Sequence, residues 1–197
     1  MAELSDLFHS EFAPRLGVRA PSFELLFRAL SYRWRPLIVE TGCLRVPGNW
    51  QGDGQSTALW SALADRTNGI VFSIDISPKS ISAARGECGD KVHLILNDSV
   101  AALRDLAHLV TRRIDGLYLD SMDLNTDDPM PSAEHHLKEL KAAWPLLGPE
   151  SIVCVDDYGR AEGGKGKLIN EFMREIEAPV LFEGYQKIWQ PLMRHSR

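Results

Sequence analysis

Ile38-Val-Glu-Thr-Gly-Cys43, followed after a short insertion by Gly52-Asp-Gly-Gln-Ser-Thr57, limits what this chain can fold into more than any other stretch. An apolar run ends on a carboxylate, turns through glycines and then opens a helix. Without a Cβ at the turn, backbone can approach a bulky ligand closely. The next apolar run, Ile70-Val-Phe-Ser-Ile-Asp75, also ends on an acid. It lies about twenty residues past the second glycine cluster, where a carboxylate commonly accepts hydrogen bonds from a ribose. Two strands, a glycine turn and a terminal acid predict a nucleoside-cofactor site.

From residue 37 onward, short β-rich runs alternate with helix-period segments. The pattern predicts strands over 37–40, 70–75, 92–96, 116–120 and 152–156. It predicts helices over 56–66, 79–86, 100–109, 133–144 and 167–177. Near-continuous apolar strands alternating with helices imply a parallel sheet covered on both faces, and right-handed crossovers make it a doubly wound α/β fold. The end of the chain breaks this rhythm, because the strand-like runs 179–183 and 186–190 are separated only by Gly184-Tyr185. A gap that short permits a hairpin and forbids a helical crossover, so one strand must run antiparallel. Residues 4–12 and 22–32 have helix-compatible apolar spacing. The expected division is therefore a helical lid or subunit-interface segment over 1–35 and a cofactor-binding domain over 36–197. Padding of the sheet edge is the alternative for the first segment, and a homo-oligomer is compatible with the second subunit that an interface implies.

A chain of 197 residues has ample length for one sizeable core. Its net charge of −5 speaks against a nucleic-acid footprint, which needs clustered Lys and Arg. Local basic spots at Arg112-Arg113 and Lys165 to Lys167 are expected to cover solvent-facing turns. Cys43, Cys88 and Cys154 show no metal spacing, and their odd number argues against a disulfide framework. Cys43 and Cys154 belong in or beside apolar strands, where a thiol acts as a small hydrophobe. No apolar run reaches membrane-span length and the N-terminus lacks a charged-then-apolar signal pattern, so a cytoplasmic protein is expected.

In an open α/β sheet, ligands gather beyond the carboxyl ends of the strands, near the point where strand order reverses. Every acidic strand end points to that rim: Glu40, Asp75, Asp98, Asp120, and Asp156 with Asp157. A dinucleotide reading needs G-x-G-x-x-G with donors for a pyrophosphate, and Gly42, Gly48, Gly52 and Gly54 do not supply that spacing. Glu40 would repel a pyrophosphate, whereas it could receive the α-ammonium of a methionine moiety. S-adenosylmethionine is thus favoured over NAD.

Five parallel strands closed by a hairpin resemble the seven-stranded sheet of the class I S-adenosylmethionine methyltransferases, and the likeness runs from about 37 to 190. The resemblance implies that Glu40, Thr41, Gly42 and the loop through Gly54 to Ser56 hold the methionine end. It implies that Asp75, followed by Ile76, accepts the ribose hydroxyls. Asn97-Asp98-Ser99 resembles the adenine-contacting turn, with Asp98 facing the exocyclic amine, although Asp98 could serve only as a helix N-cap. Asp120 would sit near the sulfonium. The inserted Leu44-Arg-Val-Pro-Gly-Asn-Trp50 departs from the compact glycine loop of that family.

Val153-Cys-Val-Asp-Asp-Tyr-Gly159 is the second strong signal. Adjacent carboxylates at a strand end are costly unless something positive neutralises them. A hard divalent cation such as Mg²⁺, held by Asp120, Asp156 and Asp157, would do so, and it would orient a small hydroxylated acceptor. This set resembles the metal-dependent O-methyltransferases of the catechol and macrocin types. Gly163-Gly-Lys-Gly-Lys-Leu-Ile-Asn-Glu171-Phe172 echoes the glycine turn and helix that follow in the macrocin branch. Catechol-type members place a lysine base three residues after the first metal aspartate, where this chain has Asp123. Asp123 is the first candidate for the base, if burial and neighbouring acids tune it, and His135 and His136 are alternates. Asp127-Asp128 belong to a solvated loop over the acceptor site. Trp50 and Trp189 could line the acceptor pocket. The competing readings are a metal-independent methyltransferase and a non-catalytic nucleoside-binding or scaffold protein.

Overall fold

The computed structural model describes residues 2–52 and 55–191, so Gly54 lies outside the described residues. Seven strands form one sheet: β1 (Leu37–Thr41), β2 (Ile70–Asp75), β3 (Val92–Leu96), β4 (Gly116–Leu119), β5 (Ile152–Val155), β6 (Val180–Glu183) and β7 (Lys187–Trp189). Their order is β3-β2-β1-β4-β5-β7-β6. The first five run parallel, and β7 is antiparallel to both β5 and β6. The hairpin expected from the Gly184-Tyr185 gap is therefore present. Strand order reverses at β1, which pairs with β2 on one side and β4 on the other.

Strand ends differ from expectation by one residue, and that shift decides what the acids do. β1 runs on to Thr41, which leaves Glu40 inside the sheet. β4 stops at Leu119 and β5 at Val155, which leaves Asp120 and Asp156 just past the strands, on the rim.

Helices cover both faces. They are α1 (Ala2–Leu7), α2 (Ala13–Leu16), α3 (Ala20–Ser31), α4 (Ser56–Thr67), α5 (Pro78–Glu87), α6 (Ser99–Leu109), α7 (Met130–Ala143) and α8 (Lys167–Glu175). A π-helical turn over Phe8–Phe12 and a 3₁₀ turn over Gly17–Arg19 link the first three. Local signals set the starts. Ser77 accepts from the Ser80 N–H ahead of Pro78, and Asp98 accepts from the Ala101 N–H at 2.9 Å.

The pleat sends alternate residues to opposite faces. Val39, Leu117, Leu119, Val153 and Val155 pack against Leu103, Leu106, Leu140 and Met173. Ile38, Tyr118, Cys154 and Ile188 pack against Phe23, Leu26, Phe27 and Trp60. Each such side chain contributes about 1.5–3 kcal/mol by leaving water. The segment before β1 thus packs over one sheet face and joins the core on that side. Cys43 and Cys154 are buried free thiols, as expected. Among the described residues no helix is long and apolar enough to cross a membrane.

A candidate cofactor cleft and an acidic pocket at the strand ends

Gly42 is the hinge of the site. It takes φ +79°, and a Cβ there would lie 2.3 Å from the Asp120 carbonyl oxygen. Only glycine lets the end of β1 pass so close to the end of β4 at the point where strand order reverses. Two cavities open beyond it, and both are lined by Gly42, Asp75 and Ser121.

The first cavity, about 290 Å³, is also lined by Ile74, Ile76, Asp98, Ser99, Met122 and His135. The Asp75 carboxylate at its mouth is fixed by the N–H groups of Ser77, at 2.7 Å, and Cys43, at 3.1 Å. Ile76 is an apolar side chain left 72% exposed beside that carboxylate. Asp98 caps α6 and lines this cavity, so it does both things the sequence allowed. Ser99 is buried and lies 3.0 Å from His135 Nε2, which in turn is 3.4 Å from Glu139. The hydrogen bond with Glu139 outweighs burial and raises the His135 imidazole above its ordinary range. His135 thus lines the first cavity and not the acidic one. His136 is wholly buried, and burial pushes its imidazole down to about 4, so it cannot meet an acceptor either.

The second cavity, about 80 Å³, is polar and collects Ser56, Asp120, Asp123, Asp156, Asp157 and Lys165, with Arg19, Arg45 and Tyr185 around them. Asp156 is buried and accepts from the Tyr118 hydroxyl at 3.2 Å. Behind it, Gln186 donates to Tyr118 at 2.7 Å and Ser22 donates to Gln186 at 2.5 Å. Arg19 reaches Asp156 from the N-terminal segment at 3.7 Å. Burial, then the charges of Asp120 and Asp157, push the Asp156 carboxyl upward despite that arginine. Asp157 sits in the left-handed region at φ +53°, accepts from Tyr185 and lies 3.2 Å from the Lys165 ammonium. Lys165 also donates to Asp120. Burial disfavours the charged lysine, but Asp120 and Asp157 reverse that and hold it well above the ordinary lysine range.

Several expectations change here. Glu40 does not face the cleft. It is 0% exposed and accepts from Ser56, from Thr57 at 2.7 Å and from Ser73 at 2.6 Å, so it braces α4 to β1 and β2. Burial pushes its carboxyl up to about 7 against those hydroxyls. Thr41 is likewise buried within β1, whereas Ser56 lines the polar cavity. Asp123 lines that cavity, but its side chain is 75% exposed and held by Arg45 at 2.9 Å, so the burial expected of a base is missing. Lys165 does not cover a solvent-facing turn, being only 2% exposed, although Arg112 and Arg113 do lie at the surface. Trp50 packs on Phe12 with ring centroids 5.8 Å apart, and Trp189 is a core residue, and neither lines either cavity. The insertion is folded by Gln55, which donates to Val46 O and accepts from the Gly48 N–H. Asp127 and Asp128 are exposed, as expected.

Asp120, Asp156 and Asp157 do converge, but they do not fit a divalent cation as they stand. Lys165 occupies the space between Asp120 and Asp157, while Arg19 and Tyr118 take Asp156. Among the described residues, no group of three or more His, Cys, Asp or Glu is arranged to hold a metal. Sequence reasoning missed Arg19, Arg45, Lys165 and Tyr185. The glycines on both sides of Lys165 were the one local signal for it.

The sheet order, the reversal at β1 and the cleft beyond it define the class I S-adenosylmethionine-dependent methyltransferase architecture. Solved structures share it. This chain matches an O-methyltransferase from Bacillus cereus in complex with SAH, with TM-score 0.61 and 17% identity over 96% of this chain and 89% of that one. It matches the MycE methyltransferase of the mycinamycin biosynthetic pathway, in complex with Mg, SAH and mycinamycin VI, with TM-score 0.63 and 16% identity. That match covers 95% of this chain but 53% of MycE, so this chain spans about half of that protein's length. CalS11, a TDP-rhamnose 3′-O-methyltransferase of calicheamicin biosynthesis, aligns with TM-score 0.56 and 18% identity over 96% of this chain and 92% of that one. A methyltransferase-domain family model matches residues 51–158, more than half of the sequence. The chain belongs to that family, and its class is that of the S-adenosylmethionine-dependent methyltransferases.

Proposed function

We propose that this protein transfers the methyl group of S-adenosylmethionine to a hydroxyl oxygen of a small molecule. The observation that carries the reading is the pair of cavities joined at Gly42, Asp75 and Ser121, one suited to a nucleoside and the other polar and acidic. The cofactor fits the first by its donor set: Asp75 for the ribose hydroxyls, Ile76 for an adenine face, and Asp98 with Ser99 for the base edge. S-adenosylmethionine supplies an electrophilic methyl carbon on a sulfonium, which an acceptor oxygen can displace.

The chain's own part is to place the acceptor and move one proton. Gly42 lets the β1 end sit against Asp120, so the nucleoside side and the acid side of the cleft are held at fixed spacing, where correct positioning lowers the barrier most. The proton of the acceptor hydroxyl passes to a carboxylate of the second cavity. We assign Asp120, because Asp123 is largely exposed and engaged by Arg45. Two structural neighbours, the Bacillus cereus enzyme and CalS11, are O-methyltransferases, which supports an oxygen acceptor. A Mg²⁺-assisted form of the reaction would require Lys165 to leave its carboxylates.

The test is incubation with methyl-labelled S-adenosylmethionine and panels of sugars, catechols and amines. Label should appear in an alkali-stable ether of a hydroxylated compound, and Asp120→Asn should lower the rate more than Asp123→Asn. Label confined to amines, or to no small molecule at all, would contradict the proposal.

A further inference from the structure

We propose that Lys165 is the resident cation of the acidic pocket, a tethered ammonium that takes the place a divalent metal would hold among Asp120, Asp156 and Asp157. This rests on reading the pocket as the acceptor end of a methyltransferase cleft.

The placement is built by the backbone. Gly164, at φ +48°, has no room for a side chain, since a Cβ would come within 2.0 Å of the Asp157 carbonyl oxygen. At Gly166 a Cβ would lie 2.6 Å from Val155 Cγ1 and 2.7 Å from Tyr158. The two glycines press the turn against the end of β5, and the residue between them must project at the carboxylates. That residue is buried and bridges Asp120 and Asp157. Asp156, the third carboxylate, is met by Arg19. One buried and two half-buried acids therefore face two cations carried by the chain itself.

An ammonium in this position competes with Mg²⁺ for the space between these oxygens. The metal needs near-octahedral oxygen ligands at about 2.0–2.1 Å, and a lysine 3.2 Å from the same carboxylate fills one side of that shell. The charge logic changes too, since a fixed single charge replaces a chelating double one. An acceptor oriented by chelation needs two adjacent oxygens, whereas one oriented by hydrogen bonds and shape needs a single hydroxyl. The pocket thus favours acceptors that need not be vicinal diols.

Mn²⁺ titration followed by electron paramagnetic resonance tests this, with S-adenosylhomocysteine calorimetry run beside it on the same samples, with and without EDTA. Wild type should bind no stoichiometric Mn²⁺ below millimolar concentration, and EDTA should leave S-adenosylhomocysteine binding unchanged. Lys165→Ala should gain at least tenfold in Mn²⁺ affinity and lose that gain when combined with Asp157→Asn. If Lys165→Ala does not fold, Lys165→Gln, neutral and of similar length, replaces it, and the wild-type titration decides if neither folds. Micromolar Mn²⁺ binding by wild type that Asp157→Asn removes would overturn the inference. So would a folded Lys165→Ala that binds Mn²⁺ no better than wild type. Failure of S-adenosylhomocysteine to bind would instead count against the methyltransferase reading, which keeps the two claims separable.

Discussion

Carboxylates inside the sheet and at its rim are neutralised in different ways. Glu40 is satisfied by three hydroxyls, from Ser56, Thr57 and Ser73, with no cation among them. Asp120, Asp156 and Asp157 are satisfied mainly by the charges of Lys165 and Arg19. Hydroxyl donors on fixed secondary structure make a closed brace with nothing left to offer a ligand. Long cationic side chains reaching in from the α8 turn and the N-terminal segment leave a cavity between them. Closure against access separates the acid of the brace from the acids of the cavity, although the residue type and the strand-end position are nearly the same.

Removing the cation should be the harsher insult. Lys165→Met leaves two carboxylates without their ammonium, and breaking a buried pair costs about 3–5 kcal/mol, to be read from chemical denaturation. The hydroxyl-held site should reveal itself through pH instead. Folding raises the Glu40 carboxyl from its ordinary 4.5 to about 7, so between those values the folded state holds more proton than the unfolded chain. Its contribution to stability therefore falls as pH rises from about 4.5 to about 7. The stability difference between Glu40→Gln and wild type should shift in the variant's favour by on the order of 3 kcal/mol across that window. A flat difference would mean that the brace stays ionised throughout. The smallest effect belongs to Ser73→Ala, which removes one of the three donors. It should cost about 1–3 kcal/mol above pH 7 and less at pH 5, where Glu40 is protonated.

The sheet was readable because each parallel strand is a short apolar run closed by an acid and separated from the next by a helix-period segment. The two-residue gap at Gly184-Tyr185 left only a hairpin possible. Asp75, Ile76, Asp98 and Ser99 fell together in the cleft for the same local reason, since they end β2 and open α6. Glu40 was misread because its role turns on one residue of strand length. With Thr41 still in β1, the pleat turns Glu40 toward α4 instead of the rim. His135 was misplaced because adjacent histidines on a helix point in different directions, and only tertiary packing shows that one meets Ser99. Nothing local to Lys165 or Arg19 named the carboxylates they meet. A lysine between glycines reads as a solvated turn, and Arg19 precedes its partner Asp156 by more than half the chain.

The most direct test of the account is a calorimetric titration of S-adenosylhomocysteine into the purified protein, with Asp75→Asn run alongside. A ribose hydroxyl that donates to a carboxylate contributes about 1.5–3 kcal/mol, so the account predicts one-to-one binding by wild type and an affinity at least tenfold weaker in the variant. Equal binding by both proteins, or none by wild type, would contradict the placement of the cofactor at the β1–β2 rim.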